Sequence, residues 1–89
     1  MRIIFMGTPE FSVGTLEALT EAGHQVVLAV TQPDKPKGRG KGVSFSPVKE
    51  AALSRGIPVF QPRRIREPEC VQELRKYEAV VMVVVAFGQ

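Results

Sequence analysis

The stretch that decides the fold is residues 26–49, which read VVLAV TQPDKPKGRGKGVSF SPVK. The apolar run Val26–Val30 predicts a buried β-strand, and Ser46 followed by Pro47 is typical of a helix start. Connections from strand to helix in α/β proteins usually take about two to six residues, so this much longer one is interpreted as an insertion with a function. Its alternating glycines disfavour a helix or a stable strand.

Positive charge is concentrated in this insertion and in the residues after it. Residues 34–66 contain nine Lys and Arg against two Asp and Glu, whereas the rest of the chain contains three against seven. Cations of the insertion alternate with Pro or Gly at Lys35, Lys37, Arg39 and Lys41. This pattern favours a polyanionic partner such as a nucleic acid. Charge alone leaves open a solvated loop that only keeps the protein soluble.

Outward from the insertion, apolar runs alternate with amphipathic segments. Strands are expected at residues 2–6, 26–30, 57–60 and 80–86, and helices at residues 9–22, 47–55 and 68–77. Thr8 is expected to cap the first helix. The core-facing helix residues are expected to be Val13, Leu16, Leu19, Ala22, Val48, Ala52, Leu53, Val71 and Leu74. The alternation predicts an α/β fold, a Rossmann-like parallel sheet with flanking helices and strand order 3-2-1-4.

The fourth predicted strand, residues 80–86, is the most apolar run of the chain. We expect a strand of this kind to be central in an intact sheet, and an unpaired apolar edge to promote aggregation. The sequence therefore predicts a sheet truncated after its fourth strand. Gly7 and Gly88 should lie side by side at the carboxyl ends of strands one and four, where open α/β sheets bind ligands.

Several kinds of site are disfavoured by the residues themselves. The turn at Gly7 lacks the Gly-x-Gly-x-x-Gly spacing of dinucleotide-binding proteins, and the insertion lacks the ending of a P-loop. One Cys and one His, far apart, support no metal site, and a single Cys fits a reducing cytoplasm. No apolar run approaches the roughly twenty residues of a membrane-spanning helix. We identify no catalytic constellation in these residues.

Motifs along the whole chain resemble those of the methionyl-tRNA formyltransferases. They are residues 2–11 (RIIFMGTPEF), 31–36 (TQPDKP), 38–41 (GRGK), 46–49 (SPVK), 58–62 (PVFQP) and 83–89 (VVVAFGQ). The insertion and the SPVK segment separate this family from the formyltransferases of sugar and purine pathways. The chain departs from the family at Gly14, where Pro is common, at Glu67, where Asp is common, and at Phe87, where Tyr is common.

The resemblance implies transfer of a formyl group from 10-formyltetrahydrofolate to the amine of methionine on initiator tRNA. It implies a cytoplasmic enzyme, monomeric at full length, that needs no metal. It also implies that residues 1–89 are the N-terminal part of the formyltransferase catalytic domain. The catalytic motif and a carboxyl-terminal barrel domain would lie beyond Gln89, so the 89 residues alone are expected to be inactive.

The resemblance also implies which residues of this chain recognise substrates. Folate-binding residues are expected at Phe87, Gly88 and Gln89. Residues that bind the methionine or the tRNA are expected at Gly7, Thr8, Pro9, Phe11, Lys35, Lys37, Arg39 and Lys41. Arg39 is implied to reach the acceptor stem and Phe11 to lie against the methionine side chain.

Simpler alternatives stay open at this point. Phe11 could be a core residue at a helix start, and Phe87 could simply end a buried strand. Two other function classes also stay open: a sugar-nucleotide formyltransferase, and a non-catalytic anion-binding α/β module. Dependence of the activity on tRNA would discriminate the first, and absence of any formyl transfer would favour the second.

Overall fold

The computed structural model describes residues 1–36, 43–64 and 67–85. The strands in these ranges are β1 Arg2–Gly7, β2 Gln25–Val30, β3 Lys35–Pro36, β4 Val43–Ser44, β5 Val59–Phe60 and β6 Val81–Val85. The helices are α1 Glu10–Glu21, α2 Pro47–Ser54 and α3 Pro68–Arg75. Strands and helices alternate as the sequence predicts, apart from the short pair β3 and β4.

The main sheet has the order β5-β2-β1-β6, and each neighbouring pair is parallel. This order confirms the predicted arrangement 3-2-1-4 of the four predicted strands. Strand β1 lies inside the sheet, and its residues from Ile3 to Met6 are at most 5% exposed. The pairing of β1 with β2 shifts by one residue between Ile3 and Ile4.

Helices cover both faces of this sheet. On one face, Leu16 of α1 and Val48 of α2 pack with Phe5 of β1. On the other face, Leu74 of α3 packs against a buried group that includes Ile4. Two apolar layers on a parallel sheet make the fold Rossmann-like, as predicted.

Strand β6 forms one edge of the sheet that the described residues build. Val83 and Val85 pack against the core on the side of α1 and α2. Met82 and Val84, which point to the opposite face, are 47% and 59% exposed. Among the described residues, β6 is thus an apolar edge strand.

The start of α1 differs from the prediction. The helix begins at Glu10, and Pro9 occupies the capping position without a side-chain hydrogen bond. The Thr8 hydroxyl instead accepts a hydrogen bond from the backbone N–H of Gln32, at 3.3 Å. Ser46 does cap α2, because its hydroxyl accepts from the backbone N–H of Lys49 at 3.1 Å.

Three helix residues predicted to face the core are exposed instead. Leu53 is 53% and Val71 is 40% exposed, and Ala22 follows the last residue of α1 at the surface. In α2 the buried pair is Val48 and Ala52, spaced by four residues, so Leu53 lies about 100° around the helix from this stripe. The same spacing places Cys70 and Leu74, rather than Val71, on the inner face of α3.

The long insertion also contains more regular structure than its glycines predict. Strands β3 and β4 pair antiparallel, with Lys35 opposite Ser44 and Pro36 opposite Val43. The two ends of the insertion therefore form a short hairpin at residues that are not glycine, and we call β3 and β4 the hairpin root. Residues 37–42, which hold the alternating glycines, lie outside the described ranges.

Candidate functional site

A cleft of about 200 Å³ opens at the carboxyl edge of the sheet. Its walls come from the segments that follow β1 and β2 and from the start of α2. The lining residues are Thr8, Pro9, Gln32, Pro33, Phe45, Ser46 and Pro47. Open α/β sheets bind ligands at this edge, so the cleft is the candidate binding site.

Three hydroxyl groups are joined in a chain beneath this cleft. The fully buried Thr31 lies 2.6 Å from the Ser46 hydroxyl and donates a longer hydrogen bond, 3.4 Å, to the Thr8 hydroxyl. In the short contact between Thr31 and Ser46, either hydroxyl can be the donor. These three linked hydroxyls thereby connect the ends of β1 and β2 to the N-terminus of α2.

We predict that Thr31→Val lowers the free energy of unfolding by about 1–2 kcal/mol, because Thr31 is fully buried and its hydroxyl links those of Ser46 and Thr8. Urea denaturation of the variant and the wild type measures this loss. Thr20→Val is the matched control, since the Thr20 hydroxyl donates only to the Glu17 carbonyl of its own helix, at 2.9 Å. The control should change stability by less than about 0.5 kcal/mol. Equal effects of the two substitutions would contradict the structural role of the hydroxyl chain.

A polar cluster borders the cleft on the side of the insertion, and we call Asp34, Lys49, Gln61 and Phe45 the Asp34 cluster. The Lys49 ammonium donates to both carboxylate oxygens of Asp34, at 2.8 and 3.0 Å. The Gln61 amide donates to the same carboxylate at 2.7 Å and to the Gln32 carbonyl at 3.2 Å. The ammonium also lies 3.8 Å from the centre of the Phe45 ring, within the range of a cation–π contact.

These contacts keep Asp34 ionised. The hydrogen bond from Lys49, followed by that from Gln61, lowers the pKa of the Asp34 carboxyl below its ordinary value. A lowered folded-state pKa contributes stability that is present above the unfolded-state pKa and is lost as the pH falls through the folded-state value. The cluster is therefore charged and intact at neutral pH.

Some residues that the sequence assigns to recognition meet at this edge. Thr8 and Pro9 line the cleft, and Gly7 ends the strand before them. Phe11, in the first turn of α1, is 68% exposed and so is not part of the core that the described residues form. Lys35 lies in β3, at the root of the hairpin.

The other residues assigned to recognition lie outside the described ranges. They are Lys37, Arg39 and Lys41 in the insertion, and Phe87, Gly88 and Gln89 after β6. The alternative interpretation of Phe87 as the end of a buried strand falls on the same residues. These assignments therefore stay predictions.

Sequence reasoning missed the Asp34 cluster and the hydroxyl chain. Asp34 and Lys49 are fifteen positions apart and follow no helix or strand period, so no pattern pairs them. Their positions were the only indication of a contact: Asp34 directly precedes the hairpin, and Lys49 follows it within the first turn of α2. Thr31 follows an apolar run and opens the motif at residues 31–36, but neither feature indicated the contacts of its hydroxyl.

Cysteine and metal chemistry find no support in the described residues. Burial, and then the nearby Glu67 and Glu69, raise the pKa of the Cys70 thiol, which disfavours the nucleophilic thiolate. Residues 1–36, 43–64 and 67–85 contain no group of three His, Cys, Asp or Glu side chains arranged to hold a metal ion. Within the same ranges, every helix is too short or too polar to cross a bilayer.

Curated proteins similar to this one match it over its whole length. It is 67% identical over 89 residues to a protein from Agathobacter rectalis named methionyl-tRNA formyltransferase, of which it covers 29%. A protein of the same name from Symbiobacterium thermophilum is 58% identical over 89 residues, and the chain covers 27% of it. The chain thus spans less than a third of the length of these curated relatives.

Among solved structures, the fold matches that of phosphoribosylglycinamide formyltransferase from Bacillus halodurans with a TM-score of 0.70. The match covers all of this chain and 46% of that one, at 19% identity, and so shows a shared fold. The family model described as formyl transferase matches residues 1–89. With a parallel sheet in the expected order, a cleft at its carboxyl edge and a family match along its whole length, the chain belongs to the formyl transferase family.

Proposed function

We propose that this chain recognises substrate in an enzyme that transfers a formyl group from 10-formyltetrahydrofolate to the amine of initiator methionyl-tRNA. The names of the curated relatives support this reaction. In this proposal residues 1–89 form the N-terminal part of a catalytic domain, and the catalytic residues and a carboxyl-terminal domain lie in further chain. The enzyme would be a cytoplasmic monomer.

The observation that carries the proposal is the position of the hairpin root. Strand β3 starts directly after Asp34, and β4 ends directly before Phe45, which lines the cleft. A basic segment that attaches beside a small cleft suits a substrate with a polyanionic body and a small reactive end. An aminoacylated tRNA has this chemistry, because its phosphates can meet the cations while its amino acid enters the cleft.

The reaction places defined demands on the enzyme. The unprotonated amine attacks the formyl carbon, a tetrahedral oxyanion forms, and the amine proton passes to a base before the folate nitrogen leaves. Preorganised donors must stabilise that oxyanion. The residues described here would bind and orient the two substrates, whose correct alignment removes a large part of the entropic barrier.

Formylation by the full gene product tests this function. We expect transfer from 10-formyltetrahydrofolate to initiator methionyl-tRNA, and no transfer to an amino sugar nucleotide. Transfer to the sugar nucleotide without tRNA would favour the sugar-pathway alternative. Absence of formyl transfer to either acceptor would favour an anion-binding module without catalysis.

Phe11 provides a local test of the same proposal. Because its ring is 68% exposed, Phe11→Ala should change the free energy of unfolding by less than about 0.5 kcal/mol. Loss of an apolar contact with the methionine side chain should raise KM for methionyl-tRNA by about three- to tenfold. Leu53→Ala is the control, since Leu53 is also exposed but lies near the end of α2. Equal KM values for the two variants would contradict the assignment of Phe11.

A further inference from the structure

The hairpin root needs an anchor that its own strands do not supply. Among the described strands, β3 and β4 hydrogen-bond only to each other and do not join the main sheet. Each contributes two residues, and a two-residue ladder alone is too short to fix its own orientation. The described contacts on either side of the hairpin can therefore help to orient it.

Lys49 contacts both ends of the hairpin at once. Its ammonium donates to the carboxylate of Asp34, which directly precedes β3, and lies against the ring of Phe45, which directly follows β4. Gln61, after β5, holds the same carboxylate and the Gln32 carbonyl. One side chain on α2 thus fastens the two ends of the insertion to each other, and Gln61 fastens one of them to the sheet.

The cluster is better suited to positioning than to holding the fold together. Helix α2 is already attached to the core by Val48 and Ala52, both fully buried. The side chains of Lys49 and Asp34 remain 14% and 25% exposed, and ion pairs that water reaches contribute little to global stability. The contacts of Lys49 nevertheless restrict the orientation of the hairpin, because they hold the two ends of the insertion together.

The geometry points to a positioning role for Lys49, with Asp34 and Gln61: they fix the root of the hairpin beside the cleft, so that the cations in residues 35–41 are presented to the tRNA substrate. This inference rests on the proposed function. A root that is fixed before binding lowers the entropic cost of ordering the insertion on tRNA. Lys49, Asp34 and Gln61 touch neither the reacting amine nor the formyl donor in this proposal, since none of them lines the cleft.

Lys49→Met in the full gene product is the direct test, because Met keeps an apolar side chain of similar length and removes the charge. We expect KM for methionyl-tRNA to rise about five- to tenfold, with kcat and the KM for the folate donor nearly unchanged. Lys49→Arg, which can keep the ion pair and the ring contact, should recover most of this loss. Lys76→Met is the matched control: it removes an exposed ion pair with Glu73, at 3.1 Å, far from the cleft.

A second readout does not depend on activity. Limited trypsin digestion under native conditions, followed by mass spectrometry, should cut after Lys37, Arg39 or Lys41 about five times faster in Lys49→Met than in the control, because the root is no longer fastened. Thermal denaturation should give similar midpoints for the two variants. A failure of the wild type to formylate methionyl-tRNA would reject the proposed function, whereas this digestion would still test the attachment.

Two results would overturn the inference. One is a Lys49→Met variant with wild-type KM and a wild-type digestion rate. The other is a variant in which kcat and the KM for the folate donor change as much as the KM for tRNA, since a general structural defect acts on all three. In the background of Arg39→Ala, Lys49→Met should add less than it does alone, because both act through the same contact with tRNA.

Discussion

Replacing Arg39 with alanine in the full gene product is expected to lower kcat/KM for initiator methionyl-tRNA by about ten- to a hundredfold. Arg39 stands between Gly38 and Gly40, so neither neighbour restricts how its planar guanidinium meets phosphates or base edges. A lysine is a point charge and cannot reproduce the two parallel hydrogen bonds of this group. Arg39→Lys should therefore recover only part of the loss.

Steady-state formylation across a salt series separates this specific contact from general attraction. Alanine at Lys35 or Lys37 should have smaller effects than at Arg39, and should mainly make KM less dependent on salt, because each lysine releases counterions from tRNA without reading a defined position. Arg39→Ala with wild-type kcat/KM at physiological salt would show that the insertion is a solvated loop, and the proposed role of this stretch would be wrong.

The architecture was predictable because it depends on patterns that are local in sequence. Apolar runs as continuous as Ile3–Met6 are typical of a strand that is buried on both faces, and the alternation with helices predicts a parallel sheet. Ser46 and Pro47 marked the start of α2 correctly, because a helix start is specified within a few residues. The prediction that Leu53 and Val71 face the core was wrong, because apolar character alone does not fix the rotation of a short helix about its axis.

The candidate site was only partly predictable, since its polar contacts join distant positions. The sequence identified the cleft-lining Thr8 and Pro9 through a resemblance, and it identified the basic character of the insertion through charge. It assigned Thr8 to a helix cap, whereas the hydroxyl bonds to the segment after β2. The link between Asp34 and Lys49 appears only when β2 and α2 are placed side by side in three dimensions.

Gly7→Ala is expected to lower the free energy of unfolding by about 1–3 kcal/mol, the usual cost of forcing an extra methyl group into a packed interior. A Cβ atom at Gly7 would lie 2.9 Å from the Ser12 Cβ and 2.9 Å from the Val85 carbonyl oxygen. Ser12 is fully buried, and its hydroxyl donates to that same carbonyl at 3.0 Å. Neither neighbour can rotate away, so α1 or β6 must move and their hydrogen bond must weaken.

Gly14→Ala is the matched control and should change the free energy of unfolding in the opposite direction. Gly14 lies within α1, and a Cβ atom there would meet nothing within 4 Å. Alanine should therefore raise the free energy of unfolding by about 0.5–1 kcal/mol through its higher helix propensity. Urea denaturation of the two variants measures both changes. Unchanged stability of Gly7→Ala together with lost formylation would contradict the packing argument and assign Gly7 to ligand contact, whereas lost stability shows that β1 must end in glycine for α1 and β6 to meet.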